Sequence, residues 1–240
     1  MAGVSRIVFT NMFSADRTTS PAAGDYQDSE RALREAGVPF TLLRNGLYTE
    51  RYTDHLREYL EDGEIMGAAG NGRISAASRQ DYAAAAAAAI LQDERGDRTY
   101  ELGGPAFGLP QLARVICEVT GAKVTYRDLP AEEYAHELQR AGLDEATARF
   151  VAAVDASIAR GELETSSADL TSLLGGGCYG SRRGRARGTR RLARSAASWR
   201  SQQERRWLRS QRPMPPGVTS TTGSGANSPP GKSTGAARFE

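Results

Sequence analysis

Cysteine, histidine and lysine are all scarce in these 240 residues, with two of each. Cys117 lies in a helical pattern and Cys178 in a Gly/Arg-rich stretch. Neither a disulfide framework nor a four-ligand zinc site can be built from that pair within one chain. His55 and His136 each stand alone among polar helical neighbours, a pattern of exposed, unliganded imidazoles that leaves metal catalysis without its usual ligands. No stretch approaches the roughly 18 consecutive apolar residues of a membrane span, and MAGVSRIVFTN lacks the apolar core of a signal peptide. The chain reads as cytoplasmic. A G-x-G-x-x-G turn ahead of a helix is missing too. Its nearest approach, GAAGNG at 67–72, leads into an extended segment and reads as a structural turn, not a phosphate cradle.

What is present divides in two. The formal net charge of +2 conceals 17 basic against 27 acidic residues up to Leu174, then 14 against 2 from Gly175 to the end. The first stretch is long enough for one domain with its own core, whereas the second holds 11 Gly and 5 Pro and few apolar residues. Residues 1–174 are therefore expected to fold and residues 175–240 to form a disordered Arg/Gly/Ser/Pro-rich tail.

Within the first stretch, the apolar, β-branched run RIVFT at 6–10 suits a buried parallel strand that ends at Thr10 and Asn11. Helix formers fill 25–36, and Gly37 and Pro39 stop them. FTLL at 40–43 is a second buried strand running into Arg44, Asn45 and Gly46, which completes a βαβ order. A helix follows at 53–61, then a Gly-rich turn region at 65–75 with short extended pieces. Asp81 opens a helix with seven consecutive alanines, small enough to lie close against a neighbouring layer. Further strands are predicted at 99–102 and 123–126 and helices at 109–120, 130–141 and 144–159, the first with Leu112, Val115, Ile116 and Val119 on one face. The alternation points to an α/β fold with a mostly parallel sheet and a helical cap.

The runs TLLRNGLYTERY at 41–52 and GAAGNGRISAASRQDYAAAAA at 67–87 are long and specific. With the strand ending in Thr10, GDYQDSERAL and DLTSLLG, they resemble the NmrA-like atypical short-chain dehydrogenases, most closely the bacterial NAD(P)H:quinone oxidoreductases. The resemblance covers residues 2–174. It implies a Rossmann-type sheet with a small C-terminal helical lobe and a substrate cleft between them. In the family a Gly-rich phosphate loop precedes the position of Val4, so the chain is expected to begin near the fourth strand, without the first strands and that loop. Cofactor affinity should suffer accordingly.

By position in the family, Asn45, Gly46, Leu47, Tyr48, Thr49 and Glu50 would line the nicotinamide half of the cofactor pocket. Elementary chemistry agrees: ligands of open α/β sheets bind beyond the carboxyl ends of strands, Gly46 permits close backbone approach, Asn45 offers both donor and acceptor, and Tyr48 a flat face. Read without the family, Asn-Gly is equally a common turn, and Tyr48 and Tyr52 equally packing aromatics. Arg79 and Asp81 match the family's R-x-D-Y. Asp81 suits a helix N-terminus. Arg79 is a pocket candidate with a fork suited to phosphate or carboxylate, or else the partner of Asp81 or Glu50 in an ion pair.

The Tyr and Lys, four residues apart, of ordinary short-chain dehydrogenases are missing, because the matching helix reads Tyr26-Gln27-Asp28-Ser29-Glu30. A nearby carboxylate raises a phenol pKa, the opposite of what Lys does. A quinone tolerates this loss, since it accepts hydride readily and its reduced oxygen is only moderately basic; positioning then carries most of the catalysis. No acid or base is assigned. The resemblance implies NADP or NAD as cofactor, with NADPH favoured, and a small quinone-type acceptor; a member that senses NAD(P) without turnover is the alternative.

The tail has two readings. Clustered Arg with Trp199 and Trp207 suits nucleic acid. The preferred reading is that the family pattern stops at 175–177 because a GC-rich coding sequence is read out of frame, which yields Arg, Gly, Ser and Pro; nucleic acid is then no partner.

Overall fold

The computed structural model describes residues 3–92 and 96–175. Its first part runs β1 (Ile7–Met12), α1 (Ala23–Glu35), β2 (Phe40–Asn45), α2 (Glu50–Thr53), α3 (Leu56–Asp62) and β3 (Glu64–Gly67). There follow α4 (Arg79–Leu91), β4 (Arg98–Leu102), α5 (Leu109–Thr120), β5 (Thr125–Asp128), α6 (Ala131–Arg140), α7 (Glu145–Ala159) and α8 (Asp169–Leu173).

β1, β2 and β4 form a parallel sheet in that order, with Ile7 opposite Phe40 and Thr41 opposite Arg98. A central parallel strand is covered on both faces, so it reads as an apolar run without alternation. β2 does: Phe40 to Arg44 are all buried and Leu42 and Leu43 are fully covered, each such leucine contributing about 1.5–3 kcal/mol. α1 ends as expected, with Gly37 at φ 64° in the left-handed region. The alanines do what their size allows. Ala85 and Ala89 bury against Leu43 and Leu102, and Leu170 and Leu173 of α8 close the same cluster. At the far end of α4 the Arg6 guanidinium donates to the carbonyls of Ala89 (2.7 Å) and Ile90 (3.1 Å).

β3 and β5 pair in parallel as a separate two-stranded sheet, where the sequence pattern suggests a single one. The division coincides with bonds from distant parts of the chain. β3 stops at Gly67, and the next three amides donate to side chains instead of continuing a ladder. α5 packs against both β3 and β5 and buries Leu109, Ala113, Ile116 and Thr120. This face is rotated from the expected one, since Val115 and Val119 are only half-buried. Thr120 tolerates burial because its hydroxyl donates to Ile116 O at 2.7 Å.

The helix expected at 53–61 is two short ones, α2 and α3, with Tyr52, Leu56 and Leu60 buried along one side. α8, at five residues, is too short to leave a periodic signature. α6 and α7 pack on each other as the helical lobe. Among the described residues no helix is long and apolar enough to cross a membrane. The expectation of a disordered tail after Leu174 falls, from residue 176 on, outside the described residues.

Candidate functional site

The loop after β2 is stitched on both sides. Gly46 N donates to Leu102 O at 2.9 Å, Ala77 N to Leu47 O at 3.2 Å and Thr49 N to Ala77 O at 3.0 Å. A Cβ on Gly46 would stand 2.7 Å from Ser75 O and 2.9 Å from Tyr82 Oη, so the absence of a side chain lets three segments meet. Tyr82, whose phenol burial pushes up, reaches Leu102 O at 3.3 Å and Leu47 O at 3.4 Å and meets Tyr48 edge-on with ring centroids 5.7 Å apart.

α4 starts at Arg79, two residues before the expected Asp81. Ser78 is the N-cap: its hydroxyl accepts from Asp81 N at 3.0 Å and donates to the Asp81 carboxylate at 2.8 Å, a reciprocal cap that accounts for Asp81. Glu50 accepts from Arg79 N at 3.1 and 3.3 Å, and so adds a carboxylate at the positive end of α4. The Arg79 guanidinium lies over the Tyr48 ring, 5.2 Å from its centroid.

These pieces edge a cleft of about 670 Å³ at the carboxyl ends of β1 and β2. Of the residues singled out in the sequence, Asn45, Gly46, Leu47, Tyr48, Glu50 and Arg79 line it; Thr49 does not, and stands at the N-cap position of α2 without a side-chain cap bond, its hydroxyl donating to Glu50 at 3.3 Å. Asn45 Oδ1 is buried and has no hydrogen-bond partner, as is Ser20 Oγ in the same cleft. A buried acceptor left open costs about 1–3 kcal/mol, which marks a place where a bound group would donate.

The sequence reading missed two other walls. One is the end of β1, from Asn11 to Phe13, with Ser20, Ala22 and Tyr26. The rule that ligands sit beyond strand ends applies to Asn11 as much as to Asn45. The other is a polar stripe of Glu50, Arg51, Asp54, His55 and Glu58, facing the cleft from α2 and α3 opposite the buried Tyr52, Leu56 and Leu60. That spacing of i, i+4, i+8 was visible in the sequence as two opposed faces. His55 is accordingly not the exposed imidazole expected: its side chain is 26% accessible and its Nδ1 lies 2.5 Å from Glu58 Oε2. Phe150, Val154 and Leu163 close the cleft from the helical lobe.

Below the cleft, Arg44 is a buried cation. Nε and Nη2 donate to the two oxygens of Glu30 at 2.8 Å each, and Nη1 to Asp16 and Glu101, also at 2.8 Å. Burial alone would push the Glu30 carboxyl up, but Arg44 and Arg34 outweigh it and hold it below the usual range. Glu30, four residues after Tyr26 on α1, is thus occupied by guanidinium groups and by Asn11 Nδ2 at 2.7 Å. The GAAGNG turn is occupied as well. Ala68 N donates to Asp155 at 3.0 Å, Ala69 N to Tyr126 Oη at 3.0 Å and Gly70 N to Asp128 at 2.8 Å, so these three amides are not free to cradle a phosphate. Among the described residues no group of three or more His, Cys, Asp or Glu is arranged to hold a metal ion.

No family model matches the chain. Its sequence is 38% identical over 175 residues to quinone oxidoreductase 2 of Escherichia coli, covering 72% of this chain and 61% of that protein. The crystal structure of that NADPH-dependent enzyme complexed with NADPH aligns with a TM-score of 0.73 at 35% identity, over 82% of this chain and 66% of that one. Citrobacter sp. triphenylmethane reductase complexed with NADP(H) aligns with a TM-score of 0.72 at 30% identity, over 81% and 66%. An NmrA-like family domain-containing oxidoreductase of Aspergillus flavus is 28% identical over 151 residues, 61% of this chain and 49% of the relative. The chain thus spans less than two thirds of the curated relatives named here. It belongs to the NmrA-like atypical short-chain dehydrogenases, with a bacterial quinone oxidoreductase among its relatives.

Proposed function

We propose that this chain is a cytoplasmic oxidoreductase that binds a reduced nicotinamide cofactor in the cleft and reduces a small quinone-type acceptor. The observation that carries the reading is the unpartnered, buried Asn45 Oδ1 at the end of β2, an acceptor suited to the amide N–H of a nicotinamide carboxamide. The remaining residues fit the same group. Gly46 leaves the backbone bare, Tyr48 offers a ring 39% exposed, and Arg79 adds a cation beside it. Asn45, Gly46, Leu47, Tyr48 and Glu50 would form the nicotinamide side and Arg79 its rim, with Thr49 behind them at the start of α2. NADPH is favoured over NADH because the aligned Escherichia coli and Citrobacter enzymes were crystallised with NADPH and NADP(H).

When bound, the cofactor supplies a hydride. The chain's own residues bind and orient: Asn45 fixes the carboxamide, and the aromatic edges of Tyr26, Tyr48 and Phe150 offer flat surfaces to a planar acceptor. Ketone chemistry of the Tyr-Lys kind is not supported, since Glu30 stands in the Lys position and is bound by Arg44. The test is quinone-dependent oxidation of NADPH by the purified 240-residue protein, followed at the nicotinamide absorbance. Turnover with 1,4-benzoquinone supports the reading; cofactor binding without turnover on any quinone would favour an NAD(P) sensor.

A further inference from the structure

We propose that His55, held by Glu58, is the proton donor to the reduced acceptor; this rests on the oxidoreductase reading above. His55 stands at the turn between α2 and α3, half-buried, and lines the cleft with its Nδ1 against the Glu58 carboxylate. The carboxylate on Nδ1 fixes the ring, and Nε2 is the nitrogen assigned to proton donation.

The composition of the cleft narrows the choice. Glu50, Asp54 and Glu58 are carboxylates, which ordinarily only accept hydrogen bonds near neutral pH, and Arg51 and Arg79 do not release their protons. Tyr26 and Tyr48 also line it, but a phenol is ordinarily a far weaker acid than an imidazolium. His55 is the lining side chain whose chemistry suits proton donation between pH 5 and 8. It also follows the Asn45–Glu50 loop by five residues, across α2, and lines the same cleft, so donor and nicotinamide would share one stretch of chain.

The step balances. Hydride from the reduced nicotinamide brings the acceptor two electrons and one hydrogen. The acceptor oxygen left anionic then takes the Nε2 proton, the N–H bond breaking as the O–H bond forms, and solvent reprotonates the imidazole.

Only two histidines occur, and His136 is exposed on α6, away from the cleft, which makes it an internal reference. Benzene-1,4-diol added to the full protein should shift the imidazole NMR signals of His55 and leave those of His136 in place. In turnover, His55→Gln should lower kcat by roughly tenfold or more with tetramethyl-1,4-benzoquinone, whose reduced oxygen is the more basic, and less with 1,4-benzoquinone, while KM changes little. Glu58→Gln, which keeps the imidazole, should show a smaller loss with the same ordering. A merely structural role would lower both acceptors alike. An unshifted His55 signal, or equal losses across acceptors, would overturn the proposal. Absence of any quinone turnover in the unmutated protein would instead strike the oxidoreductase reading and leave the NMR arm to decide whether His55 meets the acceptor.

Discussion

Two carboxylates of nearly equal burial, Glu30 at 2% accessibility and Asp155 at 5%, lie in the two halves of the molecule with opposite titration behaviour. Glu30, under the three-stranded sheet, is held below the usual carboxyl range because Arg44 and Arg34 overcome the effect of burial. Asp155, on α7 above the two-stranded sheet, is pushed up by burial, with Ala68 N and the more distant Arg51 opposing only in part. Burial sets the scale of a shift and the neighbouring charges set its sign. The end of β2 thus stands on a charged lattice, whereas burial governs the carboxyl beside the end of β3.

The largest effect expected is from Arg44→Met. It would strand Glu30, Glu101 and Asp16 without their shared cation, and the stability loss in urea unfolding should be about 3–5 kcal/mol. An effect below about 1 kcal/mol would mean that water or Arg34 replaces it and that the two halves differ less than their titration suggests.

Next comes Gly46→Ala. The new methyl would press on Ser75 O and Tyr82 Oη, so about 1–3 kcal/mol of stability and most cofactor affinity should be lost together. If stability falls while cofactor affinity is kept, the loop is a structural seam and not a binding wall.

Glu162 ties the halves at their seam. Its carboxylate accepts from Thr18 Oγ1 (2.7 Å), Thr19 N (3.0 Å) and Arg160 Nε (2.6 Å), and so fixes the loop that leads to Ser20 and Ala22. Burial opposes ionisation, but these donors hold the group at about 2, below its ordinary 4.5. Its contribution is therefore complete above the ordinary value and is lost as pH falls toward about 2. Glu162→Gln should cost about 1–2 kcal/mol at pH 7 and little at pH 2–3 in thermal melts.

Asp155→Asn should matter least at neutral pH, within about 1 kcal/mol, because asparagine keeps an acceptor for Ala68 N. Its sign is the reverse of that for Glu162. A carboxyl raised above its ordinary 3.8 stabilises the fold in its neutral form, and that contribution shrinks as pH rises through the folded value. The variant should therefore gain on the unmutated protein at higher pH. Parallel pH profiles for the two variants would contradict the opposite signs assigned to Glu162 and Asp155.

Particular residues show what the chain disclosed and what it withheld. β2, α1 and the alanine helix were legible because apolar runs, Gly37 and small side chains each have a local cause. The split into two sheets was not, since it depends on Asp155, Tyr126 and Asp128 capturing three amides from distant parts of the chain. Asn45 and Tyr48 were reached through strand-end logic and family resemblance. Asn11 shares that logic at β1, and His55 was obscured by polar neighbours whose partners, Tyr52, Leu56 and Leu60, turn it toward the cleft. The Arg44 lattice joins residues up to 85 positions apart, from Asp16 to Glu101, and no local pattern marks such pairing.

The nicotinamide wall itself can be tested without the pyrophosphate. Titration of the full chain with reduced nicotinamide mononucleotide, read by its fluorescence and repeated with Asn45→Ala, isolates it. Saturable binding that weakens about five- to tenfold in the variant is the outcome expected for one lost hydrogen bond in a buried site. Binding of equal strength in both proteins, or none in the unmutated one, would contradict the assignment of Asn45 to the nicotinamide.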